Sequence, residues 1–219
     1  MTAMTGSSQR DPVEDSLLSA MMSMAPPGIR LGSRTIRVGD ENLLLPEEQR
    51  AVTTRDQESR RASGAARHLA RGLMAELGRP VVAIGRGRFG QPIWPAGVVG
   101  SLAHDRVMAV AAVGTGASGV SLGIDVEPAE PLPDDAVALV MTAGDELGTA
   151  SGHLAGRILF AAKEAIYKAV HPLDGIILNH DDVVVSLTAS CGRTRAGPAV
   201  RLYWCVSPRI VVLAVASGR

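Results

Sequence analysis

The sequence predicts an α+β fold made of two similar halves, on three observations. A helical pattern near residues 59–77 is followed by short apolar β-type runs. A proline-rich break, Pro128 to Pro133, interrupts the chain. A second helical pattern, near 154–170, then leads into another set of β-type runs. The halves divide as residues 1–118 and 119–219, joined near 115–122.

Taken in order, residues 1–12 are expected to be disordered. Leu17 to Met24 reads as a short helix or lid segment that something must cover. Pro46-Glu47-Glu48 opens another short helix, since proline tolerates the first turn and acids favour it. The helix from Ser59 to Leu77 carries an apolar stripe of Leu69, Leu73, Met74 and Leu77, with Arg60, Arg61, Arg67 and Arg71 on its other faces, and ends at Gly78 and Pro80. Strands are predicted at Val81–Ile84, Val98–Leu102, Val107–Val113 and Val120–Val126, separated by glycine-rich turns. Thr142-Ala-Gly-Asp145 resembles a capping box in a helical region. The helix Leu154–Val170 is expected to stop before Pro172. Strands near Val183–Leu187, Ala199–Val206 and Ile210–Ala216 complete the second half.

Charge and cysteine content narrow the function classes. The chain has 219 residues, with 22 basic and 22 acidic side chains. Whole-protein charge therefore points to neither a nucleic acid nor a membrane partner, and anion binding requires a local cluster. Cys191 and Cys205 have no metal-type spacing and form no disulfide framework, which suits a reducing cytoplasm. The N-terminus lacks a signal peptide's pattern, and the 17–24 segment is too short to span a bilayer. A cytoplasmic protein is expected.

Only two lysines occur, Lys163 and Lys168, both in Phe160-Ala-Ala-Lys-Glu-Ala-Ile-Tyr-Lys168. Elsewhere arginine supplies the positive charge, so lysine here suggests a need for a compact, flexible ammonium. Glu164 and Lys168 share a helix face, with Lys163 on the neighbouring flank. In Gly123-Ile-Asp-Val-Glu127, strand alternation sends Asp125 and Glu127 to one face and Ile124 and Val126 to the other. Two acids so close repel unless one is protonated or a cation lies between them. With Glu164 as a third carboxylate and the lysines as phosphate-reaching groups, the set suits a Mg²⁺-dependent polyphosphate site. No P-loop and no dinucleotide-binding glycine motif is present, so side chains must grip the phosphates. Ser101 and His104, in Gly100-Ser-Leu-Ala-His104, lack the third group and the elbow of a serine hydrolase.

Four blocks in order resemble the Sfp-type 4′-phosphopantetheinyl transferases, in particular their EntD-like branch. They are Ala66-Arg-His-Leu-Ala-Arg71; Gln91-Pro-Ile-Trp-Pro95 leading to Gly100-Ser-Leu-Ala-His104; Gly123-Ile-Asp-Val-Glu127; and Phe160 to Lys168. The resemblance implies a pseudo-twofold α+β fold, each half a helix on a short, mainly antiparallel sheet, with coenzyme A and Mg²⁺ (or Mn²⁺ in its place) bound between the halves. It implies transfer of 4′-phosphopantetheine to a serine of an apo acyl or peptidyl carrier protein, with release of 3′,5′-ADP. By motif, Asp125, Glu127 and Glu164 would hold the metal, and Glu164 would accept the serine proton. Lys163 and Lys168 would contact phosphates, Lys168 serving the transition state or leaving group. Arg60, Arg67, Arg86, Ser101 and His104 would bind the cofactor. Ala103, Arg60-Arg-Ala-Ser-Gly64 and Ile177-Leu-Asn-His180 depart from the family pattern without removing an acid or a lysine. The alternatives are an inactive relative that only binds coenzyme A or a carrier protein, or another Mg²⁺-dependent phosphate-ester enzyme. The internal duplication favours a monomer.

Overall fold

A computed structural model describes residues 11–116, 119–148, 152–195 and 197–218. Most of the stretch expected to be disordered, residues 1–10, lies outside the described residues. Asp11, by contrast, caps helix α1 (Pro12–Met24), its carboxylate accepting the Val13 amide at 2.9 Å.

The first half continues with β1 (Ile29–Thr35), α2 (Pro46–Ala51), α3 (Gln57–Glu76), the short pair β2 (Gly85–Arg86) and β3 (Pro92–Ile93), then β4 (Val98–His104) and β5 (Met108–Thr115). The second contains β6 (Val120–Pro128), α4 (Asp134–Val140), α5 (Ala155–Asp174), β7 (Val183–Ser186), β8 (Cys191–Thr194), β9 (Ala199–Cys205) and β10 (Arg209–Ser217). Strands β1-β5-β4 form one sheet, β6-β10-β9-β8-β7 a second, and β2-β3 a hairpin. Every strand pairing is antiparallel. The fold is thus mixed α+β, with a 20-residue helix laid on each main sheet.

Helix α3 buries Ala70, Leu73 and Met74 against Ile84, Val98, Ala111 and Val113. Helix α5 buries Ile158, Leu159, Ala162, Ile166 and Val170 against β7, β9 and β10. A third apolar cluster lies between the sheets. It joins Leu31, Met108 and Val110 of the first half to Ile124, Val126, Val211 and Leu213 of the second, and Leu17 and Met21 of α1 fill it. The methionine-rich segment is therefore a wedge between the halves, which is what covers its apolar residues.

Strand β8 and the β2-β3 hairpin lie outside the sequence expectation, and four further elements differ from it in informative ways. Strand β1 is absent from it, because Gly32 and two arginines hide the alternation; it pairs with β5 along its whole length. At Gly32 a side chain would meet Leu69 Cδ1 at 2.8 Å, so the gap in the pattern is where α3 approaches. Val81–Ile84 is not a strand. Val81 and Val82 are exposed, while the buried Ile84 donates its amide to Glu48 at 2.9 Å. Helix α5 runs past Pro172 to Asp174, since a proline in the last turn removes little of the ladder and Gly175, at φ 69°, closes the helix. Thr142–Asp145 opens no helix; Asp145 instead accepts the Thr142 amide (2.8 Å) and hydroxyl (2.9 Å) in a tight turn after α4.

Gly123 sets the distance between α5 and β6. A β-carbon there would lie 1.9 Å from the Ala165 carbonyl oxygen and 2.7 Å from the Ala169 nitrogen, both helix backbone that cannot yield locally. Gly123→Ala is expected to lower unfolding free energy by about 1–3 kcal/mol or more. Urea denaturation checks this; a loss below about 0.5 kcal/mol, the range of ordinary surface changes, would mean the helix retreats freely.

Candidate active site

Strand alternation turns Gly123, Asp125 and Glu127 toward α5 and sends Ile124 and Val126 into the core between the sheets. Because Gly123 lets the helix come close, both acids meet its side chains directly. Lys168 Nζ lies 2.6 Å from Asp125 Oδ1, and Arg157 Nη1 lies 3.0 Å from Glu127 Oε2. Arg157, Glu164 and Lys168, spaced by seven and four residues, line one face of α5. Glu164 is half-buried on that face and makes no hydrogen bond or ion pair among the described residues.

The acids are held under electrostatic tension. Burial raises the pKa of Asp125, against the pull of Lys168, and its Oδ2 is buried with no hydrogen-bond partner among the described residues. Burial, and then repulsion from Asp125, raises that of Glu127, with Arg157 opposing. Such a pair is relieved by a cation. The donors are all oxygens, which suits Mg²⁺. Among the described residues no three carboxylate, histidine or cysteine side chains gather into a metal cage. Mg²⁺ does not need one, because it commonly takes one or two carboxylates and completes its shell with water and substrate phosphate. The residues present therefore fit the ion.

A chain of contacts joins these acids to the first half. The Ile124 amide donates to Ser101 Oγ of β4 at 3.0 Å, and the Ile124 carbonyl accepts from Lys168 Nζ at 3.1 Å. Asp105, beside His104, accepts the Val107 and Met108 amides (2.7 and 2.8 Å) and pairs with Arg209 of β10 across the halves. His104 stands at the exposed end of β4. The protein packed about its ring lowers its pKa, opposed by the Asp105 carbonyl, and Lys168 lowers it further.

Two adjoining cavities share His104 and Ser59. The smaller, about 360 Å³, is lined by Arg67, Arg86, Thr54 and Ser63 among others; the larger, about 1320 Å³, extends to Arg61, Arg157 and Glu127. Arg67 is buried, its Nε donating to the Ile84 carbonyl at 3.1 Å. Burial lowers its pKa; Glu48 opposes this, while Arg86 and Arg71 add to it. The acid behind the cluster, Glu48, is fully buried, accepts Arg71 Nη1 at 2.7 and 2.6 Å, and also takes the Leu45 and Ile84 amides. Arg67 and Arg86 line the small cavity and no acid is among its lining residues, which suits an anionic ligand.

Three of the residues expected at the cofactor are engaged elsewhere. Lys163 is only 2 % exposed. Its ammonium touches the Val140 carbonyl (2.8 Å), Thr142 Oγ1 (3.0 Å), the His180 carbonyl (3.1 Å) and Asp145 Oδ2 (2.8 Å). Four oxygens around three N–H groups leave none for a phosphate. Burial would raise Asp145, but hydrogen bonds from Lys163, Thr142 and Val185 outweigh it and hold the carboxyl below its usual value. Ser101 is buried, and its oxygen accepts the Ile124 amide. Arg60 donates to the Val52 carbonyl at 3.2 Å and lines neither cavity, whereas Arg61 lines the larger one and pairs with Glu41 at 3.3 Å.

Arg157, Asp105, Arg209, Glu48 and Asp145 were missed as site or supporting residues. Only Arg157 had a usable signal, lying two helical turns before Glu164. The other pairings join elements far apart in sequence.

Residues 45–114 match the family model of the 4′-phosphopantetheinyl transferase N-terminal domain, and residues 121–213 that of the 4′-phosphopantetheinyl transferase superfamily. The chain is 35% identical over 199 residues to 4′-phosphopantetheinyl transferase Svp of Streptomyces mobaraensis, covering 80% of this chain and 79% of that protein. It is 40% identical over 155 residues to 4′-phosphopantetheinyl transferase Npt of Nocardia iowensis (69% and 70% covered), and 34% over 192 residues to 4′-phosphopantetheinyl transferase PptT of Mycobacterium tuberculosis (78% and 85%).

Lys163→Met is expected to strand Asp145 as a buried, unpaired charge and to cost about 3–5 kcal/mol in denaturant unfolding. The protein that remains folded should keep its KM for the nucleotide-bearing substrate. A raised KM with unchanged stability would return Lys163 to phosphate contact.

Proposed function

This chain belongs to the 4′-phosphopantetheinyl transferase superfamily and moves a 4′-phosphopantetheine group to carrier proteins, and from that premise we propose how its residues divide the work. The acceptor is a serine hydroxyl of an apo acyl or peptidyl carrier protein. Its oxygen forms a bond to the phosphorus nearer the pantetheine, the bond from that phosphorus to the bridging oxygen breaks, and 3′,5′-ADP leaves. The observation that carries the assignment is Asp125: buried, one oxygen on Lys168 and the other without a partner among the described residues, on the same face of β6 as Glu127 and turned with it toward α5.

The small arginine-lined cavity takes the nucleotide end of coenzyme A. Arg67 is fixed there by the Ile84 carbonyl, Arg86 is exposed at the rim, and His104 reaches in from β4. Asp125 and Glu127, joined by Glu164 from the facing helix, would hold Mg²⁺, and a bound ion would supply charge neutralisation at the diphosphate. Glu164, with no competing partner among the described residues, accepts the serine proton directly or through a water. Lys168 balances the charge that accumulates on the departing phosphate. Holding Lys168 at both Asp125 and the Ile124 carbonyl orients its ammonium before substrate arrives, so little reorganisation remains for the transition state. Lys163 and Ser101 serve the frame instead. The protein acts as a cytoplasmic monomer.

The test is to incubate the protein with coenzyme A, Mg²⁺ and a panel of apo carriers and to weigh the carriers. One phosphopantetheine is expected per acceptor serine. Asp125→Ala should abolish the gain while the protein stays folded by circular dichroism, and full transfer by that variant would reject the metal assignment. Lys168→Ala should lower kcat more than it raises the KM for coenzyme A, and a change in KM alone would make Lys168 a simple binding group.

The raised acids also set the pH response. Activity needs both as carboxylates, so the acid limb of kcat/KM should lie above the ordinary carboxylate range. Mg²⁺ binds only the ionised form, so more Mg²⁺ should move that limb to lower pH. Profiles at two Mg²⁺ concentrations check this, and a limb that does not move would separate the acids from the metal.

A further inference from the structure

Among the described residues Arg157 is the side chain that hydrogen-bonds Glu127, and it has no part in the transfer as outlined. Each of its three nitrogens donates one hydrogen bond. Nη1 donates to Glu127 Oε2 at 3.0 Å, Nε to the Glu130 carbonyl at 3.2 Å and Nη2 to the Pro131 carbonyl at 3.2 Å. The side chain is only 17 % exposed.

These contacts distinguish two roles. An arginine that merely neutralised Glu127, and swung away for a cation, would be tied to the carboxylate alone. Here two of three nitrogens are fixed to backbone carbonyls of the proline-rich connector, whose prolines restrict its movement. The guanidinium is therefore a fixed post. It takes one oxygen of Glu127 and leaves Oε1 without a protein hydrogen bond among the described residues.

We propose that Arg157 is a positioning residue for the cation site: it anchors Glu127 between α5 and the connector so that Oε1 faces the metal alongside Asp125. This rests on the metal reading given above. Hydrogen-bonding partners of ligating carboxylates orient them, and losing such a partner typically weakens metal binding by about 10–100-fold. Arginine also carries a charge that repels a divalent ion. The proposal holds that fixing the carboxylate outweighs that repulsion.

The test reads metal binding directly, by Mn²⁺ titration of the full chain followed by electron paramagnetic resonance, without substrate or turnover. Arg157→Gln should weaken Mn²⁺ binding about tenfold. At saturating metal the KM for coenzyme A should stay near wild type. In a Glu127→Gln background, Arg157→Gln should add nothing further, because the two act as one unit. Arg157→Lys keeps the charge and loses the fork; it should shift binding the same way by less, and it serves if the Gln variant misfolds. Binding as tight as wild type or tighter in the folded variants, or a full effect persisting in the Glu127→Gln background, overturns the proposal. A wild-type protein that binds no Mn²⁺ overturns the metal reading and this inference together, which distinguishes the two failures.

Discussion

Ile124 is the residue on which the two halves are registered. It lies in β6, an edge strand whose backbone must find partners outside its own sheet. Its amide is met by Ser101 from the first half and its carbonyl by Lys168 from the second. One peptide segment thereby fixes the separation of β4, which ends in His104, from α5, which carries the lysine and Glu164. A slip of one residue in β6 would turn Asp125 and Glu127 into the shared core and Ile124 and Val126 toward α5. The apolar cluster behind Ile124 makes that slip costly, so hydrophobic burial and the placing of the two acids against α5 enforce the same register.

The site is held at some cost to stability. Asp125 and Glu127 are pushed toward protonation by burial, and each is given a single cation from α5. Neither pair is closed. Among the described residues Asp125 keeps an oxygen without a partner, and Glu127 is met by one nitrogen of Arg157. The contrast with Arg71–Glu48 is instructive. There the acid has two bonds from one arginine nitrogen and two from backbone amides, the full satisfaction expected of a buried ion pair with a structural task. Incomplete pairing at the cleft and complete pairing behind it separate the groups available to a ligand from those that brace the fold.

Much of this was legible in the sequence because it rests on local periodicity. Alternation assigned Asp125 and Glu127 to one face, helical spacing put Glu164 beside Lys168, and the arginines of α3 came with its apolar stripe. What stayed hidden depends on partners distant in the chain. Lys163 and Lys168 look alike in sequence, yet five residues of helix turn them to different neighbours, and Lys163 meets a tight turn and a carbonyl that no local pattern predicts. The Thr142–Asp145 motif was seen but misassigned, since its carboxylate serves that lysine instead of opening a helix. Strand β1 was lost to Gly32, a residue that weakens the strand signal while permitting α3 to pack.

Helix α1 has a consequence for how the chain can be divided. Leu17 and Met21 are completely buried beneath strands of both sheets, so neither half owns a finished interior. Produced as separate fragments, each would present an oily face to water and would associate or precipitate. The chain may be read as two lobes on paper, but thermodynamically it is one folding unit whose keystone is supplied by its first helix.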